Sequence, residues 1–181
     1  MNLAEDPRAG LELVRYHSWR VLHSQSNGEH SAQIMRILLT VWPDCPRRML
    51  VHAVTHDIGE MAGDIQYPFK KIVPGLKECM DACEEHVKSG MRVAIGMPPH
   101  VTLSQYELDV FKLCEFIDMW EYGLREQNLG NRYGQVIAQR CIMGASTYFD
   151  IVEESRGEHP DIRPAVKSYM DRRLAWEQDH D

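Results

Sequence analysis

The chain predicts an all-α fold, a compact single-domain helical bundle of about six or seven helices over residues 1–181. Three observations predict it. Apolar residues recur at helical spacing in several long segments, as in Ile34, Ile37, Leu38 and Val41. No segment alternates apolar and polar residues as a half-buried strand does. At 181 residues the chain has one domain's length and buries roughly 70% of its unfolded surface, so it needs no disulfide staples.

Taken in order, residues 3–14 read as a short opening helix. A basic and aromatic stretch, Arg15-Tyr16-His17-Ser18-Trp19-Arg20-Val21, follows. Ser24 to Gly28 carries loop chemistry. Glu29 to Trp42 reads as a helix that Pro43 ends, with His30 in its first turn. Pro46 opens the next helix at its first position, and that helix runs into His56-Asp57. Gly63 to Pro68 breaks the pattern, Phe69-Lys70-Lys71 follows, and Pro74-Gly75 closes the loop. Lys77 to Ile95 returns to helix until Pro98-Pro99 stops it. Ser104 to Arg125 is apolar on most sides, which predicts the central helix. After the Gly130-Asn131 turn, helices are predicted over about Tyr133 to Glu154 and Ile162 to Gln178.

Composition excludes several function classes. The net charge of −7 and pI of about 5.7 argue against an extended nucleic-acid partner, which calls for a basic face. A small anionic substrate needs only a local cationic cluster or a metal. No apolar run approaches the roughly 20 residues that span a bilayer, so no membrane partner is expected. The polar, acidic N-terminus does not read as a signal peptide. Cys45, Cys79, Cys83, Cys114 and Cys141 form an odd, scattered set, which predicts reduced thiols and a cytoplasmic location. Cys79 and Cys83, at i and i+4, read as core or edge residues.

His56-Asp57-Ile58-Gly59-Glu60 is the stretch that carries chemistry. On a helix turn, Glu60 stands i+4 from His56 and i+3 from Asp57, which places all three on one face. Imidazole and carboxylate beside a base are what metal-assisted hydrolysis requires. His30 and Asp118 complete a candidate set drawn from three predicted helices. Taken singly, His30 reads as a capping or surface residue and Asp118 as part of a solvated Glu115, Asp118, Glu121 stripe. Against that, a carboxylate on so apolar a helix needs a partner, and a metal ion supplies one. His52, four residues before His56, raises a His-x-x-x-His alternative, although a helix histidine is ordinarily structural.

The order His30, His56-Asp57, Asp118 resembles the HD-domain metal-dependent phosphohydrolases. Asn27-Gly28-Glu29-His30-Ser31 is similar to a segment of the bacterial 5′-deoxynucleotidases in that superfamily. So is His56 to Glu60 followed by Gly63-Asp64 and Pro68, in a loop one residue shorter here. Arg15, the Trp19-Arg20-Val21 segment and the compact length bring the chain nearest to the small phage enzymes that remove triphosphate from dATP, in phages that replace adenine by 2-aminoadenine. The motifs fall within about residues 10–125, and none lies in the C-terminal helices of residues 130–181.

The resemblance implies an HD-type bundle and a divalent metal held by His30, His56, Asp57 and Asp118. The ligand set suits Zn, Mn, Co or Fe(II), with Mg at a second site. It implies Glu60 as general acid/base, with a carboxylate that orients a ligand as the alternative, and Asp57 in the catalytic set. Phosphate would meet Arg15, with Lys70 and Lys71 as further cations whose ordinary reading is a solvated pair. Trp19, Val21 and Pro68 would shape the base pocket and exclude 2-aminoadenine at the base C2 edge; by residue type alone, Trp19 is a packing residue. Asp64 would bind the sugar or a second metal. The implied reaction is release of deoxyadenosine and triphosphate from dATP. A 5′-deoxynucleotidase and a non-catalytic nucleotide-binding regulator are the alternatives. The partners implied are a small deoxynucleotide and further copies of the chain, as a dimer or hexamer, in the host cytoplasm if the gene is a phage's.

Overall fold

The computed structural model describes residues 7–15, 20–62 and 72–178. Among these the protein is all-helical. Its α-helices are α1 (Pro7–Leu11), α2 (Asn27–Val41), α3 (Arg47–Thr55), α4 (Leu76–Ala94), α5 (Gln105–Asn128), α6 (Arg132–Ser155) and α7 (Arg163–Gln178), with a 3-10 turn at Ile58–Ala62. None is long and apolar enough to cross a membrane. The expectations for Trp19, Asp64, Pro68, Lys70 and Lys71 lie outside the described residues.

α5 is the central helix, as its composition predicts. Val110, Leu113, Cys114 and Ile117 on it are fully buried. Ile34, Ile37 and Leu38 of α2 and Met49 and Ala53 of α3 pack into the same core, with Ile137 and Cys141 of α6 and Val166 of α7. Each large aliphatic side chain buried there stabilises the fold by about 1.5–3 kcal/mol. α5 and α6 cross closely because two glycines leave room. A Cβ on Gly123 would lie 2.6 Å from Ala138 N, and one on Gly134 would lie 2.4 Å from Gln127 N. Gly130, at φ 85°, makes the turn between them.

Several boundaries differ from the sequence expectation, each for a local reason. The opening helix ends at Leu11 because the chain then pairs with itself. Arg15 N donates to Gln25 O at 2.7 Å and Asn27 N to Leu13 O at 2.8 Å, around a Val14–Ser26 bridge. α2 starts at Asn27, inside the expected loop, because Ser26 and Glu29 form a capping box: Ser26 Oγ accepts from Glu29 N and the Glu29 carboxylate from Ser26 N. Ser104 and Glu107 do the same for α5. Pro46 stands just before α3 as its cap rather than in its first turn. α4 buries only Met91 and Arg92 and packs on the 3-10 turn, so Cys79 and Cys83 are exposed rather than core or edge residues.

Candidate metal centre

The doublet His56-Asp57 does not continue α3. The helix ends at Thr55, His56 and Asp57 form the bend beyond it, and Glu60 lies in the 3-10 turn. The expected single α-helical face is therefore replaced by a tighter one, in which residues three apart eclipse. Asp57 and Glu60 keep that i+3 relation, with Glu60 N donating to Asp57 O at 3.0 Å. Gly59 is needed there because α4 lies over it: a Cβ would come 2.4 Å from Glu84 O.

His30, fully buried in the first turn of α2, faces this bend. One ligand atom each of His30, His56 and Asp57 falls within 4.8 Å of the others, a group that can hold a metal ion. The ring orientations suit that use. His30 Nδ1 meets Asp118 Oδ2 at 2.6 Å, and His56 Nδ1 meets Ala53 O at 2.9 Å. Each Nδ1–H donating to its oxygen leaves the Nε2 lone pair pointing inward. Both Nε2 atoms are buried without a hydrogen-bond partner among the described residues. They lie 3.7 Å and 3.1 Å from the same oxygen, Asp57 Oδ2. Acceptors converging on one point require a cation or a proton between them, so the donor set fits a divalent ion.

Asp118 is 2% exposed, not on a solvated face. It meets the ring nitrogen of His30 that faces away from Asp57, and it also accepts from Gln25 Nε2 at 3.3 Å. His52 stands outside the three-residue group and packs edge-on against Phe111, with ring centroids 4.5 Å apart. Phe111 also backs His56 at 5.0 Å.

The electrostatics are those of a centre balanced by protons. Burial pushes the His30 imidazole below its usual range, against the pull of Asp118. Burial works the same way on His56, but Asp57 and Glu115 outweigh it and hold that ring above its usual range. Burial would raise the Asp57 carboxyl, yet His56, Arg15 and His30 together hold it well below the usual carboxylate range. Arg15 forms an ion pair with Asp57 Oδ2, brought there by the pairing of its own backbone with Gln25.

Glu60 is held beside the group by Asn27, whose Nδ2 donates to Glu60 Oε2 at 2.8 Å and to Asp57 O at 3.2 Å. Lys112 and Glu115 pair at 2.7 Å, and Glu115 reaches to 4.0 Å from His56 Nε2. Val21 packs against the core on a loop that Glu126 clamps. Glu126 is fully buried and accepts from Leu22 N at 2.8 Å, His23 N at 2.6 Å and Asn131 Nδ2 at 2.6 Å. Gln25, Lys112, Glu126 and Asn131 are absent from the sequence reading of the site. No protein-family model and no curated protein sequence matches the chain.

Proposed function

We propose that this protein is a metal-dependent phosphohydrolase that takes a small deoxynucleotide, with dATP converted to deoxyadenosine and triphosphate. The observation that carries the reading is the convergence of two buried imidazole Nε2 atoms on one Asp57 oxygen. The order of the motif residues along the chain supports it further, through their likeness to the HD-domain phosphohydrolases.

In this reading His30, His56 and Asp57 hold a divalent ion, and Asp118, on the far ring nitrogen of His30, fixes that ring in place of serving as the fourth ligand. The ion supplies acidification of a water, by as much as about nine pKa units, and polarisation of a phosphoryl oxygen. The remaining work falls to the chain. Asp118 and Ala53 O hold the two imidazoles in the tautomer that presents Nε2. Glu60, steadied by Asn27, takes the proton of the attacking water and returns it to the departing 5′ oxygen. A P–O bond forms to water while the bond to O5′ breaks, so atoms and protons balance. Arg15 stands at the edge of the group, where its planar fork suits a phosphoryl oxygen. Val21 lies on the loop that leads into the metal centre and is the described candidate for a base contact.

A panel of dNTPs and dNMPs with Mn²⁺, Co²⁺, Zn²⁺ and Mg²⁺, its products resolved by chromatography beside an Asp57→Ala control, tests this. Deoxyadenosine and intact triphosphate from dATP are expected. Phosphate released from several dNMPs would replace this substrate assignment with a 5′-deoxynucleotidase. Absence of turnover on every substrate would overturn the hydrolase reading in favour of a nucleotide-binding regulator.

A further inference from the structure

Gln25, in the loop that enters α2, is polar yet only 5% exposed. Its backbone is fixed from three directions. The carbonyl accepts from Arg15 N at 2.7 Å, beside the Val14–Ser26 bridge. Ser26, the next residue, caps α2. Glu126 holds Leu22 N and His23 N just ahead of it. The side chain therefore starts from a fixed point, and it crosses to α5, where it meets a residue 93 positions on in sequence.

That residue is Asp118. Gln25 Nε2 lies 3.3 Å from its Oδ2 and 3.5 Å from its Oδ1, so one NH₂ group faces both carboxylate oxygens. Among the described residues, Gln25 and His30 are the hydrogen-bond partners of Asp118. A carboxylate only accepts, which fixes the direction of the amide: its NH₂ points at Asp118. The other end bears the cost, because Gln25 Oε1 is buried with no hydrogen-bond partner among the described residues. A buried acceptor left without a donor is costly, and its presence calls for a reason. The reason here is the NH₂ group at the same amide. Asp118 Oδ2 also meets His30 Nδ1 at 2.6 Å, the contact that turns His30 Nε2 toward Asp57. Held by His30 alone, the carboxylate is free to swivel about its Cβ–Cγ bond. A donor facing both oxygens fixes its plane, and with it the tautomer and orientation of the ring.

We infer that Gln25 is a positioning residue of the metal centre: its amide fixes the Asp118 carboxylate, which in turn fixes the His30 ring for the ion. The inference rests on the assignment of His30, His56 and Asp57 as metal ligands, and on no particular substrate. Gln25 touches neither the ligand atoms nor the ion, so its effect passes through Asp118.

The test is a double-mutant cycle read by metal affinity, with Zn²⁺ titrated calorimetrically into the EDTA-stripped, dialysed full chain. Its members are wild type, Gln25→Met, Asp118→Ala and the double variant; Met has nearly the shape of Gln and offers no donor. Gln25→Met is expected to bind Zn²⁺ roughly tenfold more weakly than wild type. In the Asp118→Ala background the same substitution is expected to change affinity by less than about twofold, because the carboxylate it acts through is gone. The ring ¹⁵N shifts of His30 in the metal-free protein give a second readout, which packing alone does not move. They should report the Nδ1–H tautomer in wild type and a tautomer mixture in Gln25→Met, and this comparison stands even where Asp118→Ala fails to fold by circular dichroism. Equal Zn²⁺ affinity and equal ¹⁵N shifts in wild type and Gln25→Met, or an undiminished loss in the Asp118→Ala background, would overturn the positioning role. A wild type that binds no Zn²⁺ would overturn the metal centre itself, and this role with it.

Discussion

Replacing Glu126 with Gln is the most informative single perturbation of the scaffold around the metal centre. The side chain is fully buried, and its two oxygens accept three hydrogen bonds, from Leu22 N, His23 N and Asn131 Nδ2. The amide has nearly the same shape but turns one acceptor into a donor. At least one N–H then faces an NH₂ group, and the remaining bonds lose their charge assistance. Bonds to a charged group are worth about 1.5–3 kcal/mol and neutral ones about 0.5–1.5 kcal/mol. Allowing for relief of a buried charge, the net loss is about 3 kcal/mol. For a chain of this size that lowers Tm by about 6–12 °C. The pH dependence follows from the carboxyl's position. Burial would raise its pKa, but the Leu22 N–H, Asn131 and the His23 N–H hold it below the usual carboxylate range. A carboxyl lowered on folding contributes stability above its unfolded pKa and loses it as pH falls through the folded one. Thermal unfolding of both proteins, followed by circular dichroism at pH 7 and in steps below pH ~4.5, should show a gap widest at neutrality. An unchanged Tm, or a gap that widens on acidification, would refute the reasoning.

Three further outcomes are expected. Asp118→Asn should keep the fold and weaken metal affinity about 10–100-fold, because the His30 ring loses the carboxylate that fixes its tautomer; metal titration checks it. Gly134→Ala should shift the urea midpoint down by the equivalent of about 1–3 kcal/mol, since the added Cβ meets the backbone of α5. Burial, with help from His56, Arg92 and Lys88, pushes the His52 imidazole down from 6.5 to about 4. The unfolded chain therefore binds a proton that the folded chain refuses between those values, and stability falls as pH drops through that window, by at most about 3 kcal/mol. Urea unfolding of the metal-stripped protein measures that slope, and His52→Leu should flatten it.

The helical architecture was legible because α2, α5 and α6 carry long apolar periods and clear stops, and these depend on residues near one another in the chain. His30 and the His56-Asp57 doublet were legible as residue types on two separate elements, and the structure brings them together. The bend at His56-Asp57 was not legible: apolar period does not separate a helix from a 3-10 turn, and the demand on Gly59 comes from α4 lying across it. Glu126, Asn131 and Gln25 were missed for a related reason. Leu22 is 104 residues from Glu126 and Gln25 is 93 from Asp118, so no local pattern announces either pair. The start of α2 was misread despite a local signal, because Ser26-Asn27-Gly28-Glu29 looks like turn chemistry until its capping box is recognised.

The central claim is that His30, His56 and Asp57 hold a divalent ion. Isothermal titration of Zn²⁺ and Mn²⁺ into the EDTA-stripped, dialysed protein, beside His56→Ala, tests it most directly. The account predicts one ion bound per wild-type chain and binding at least a hundredfold weaker in His56→Ala. No stoichiometric binding by the wild type, or equal affinity in the variant, would contradict it.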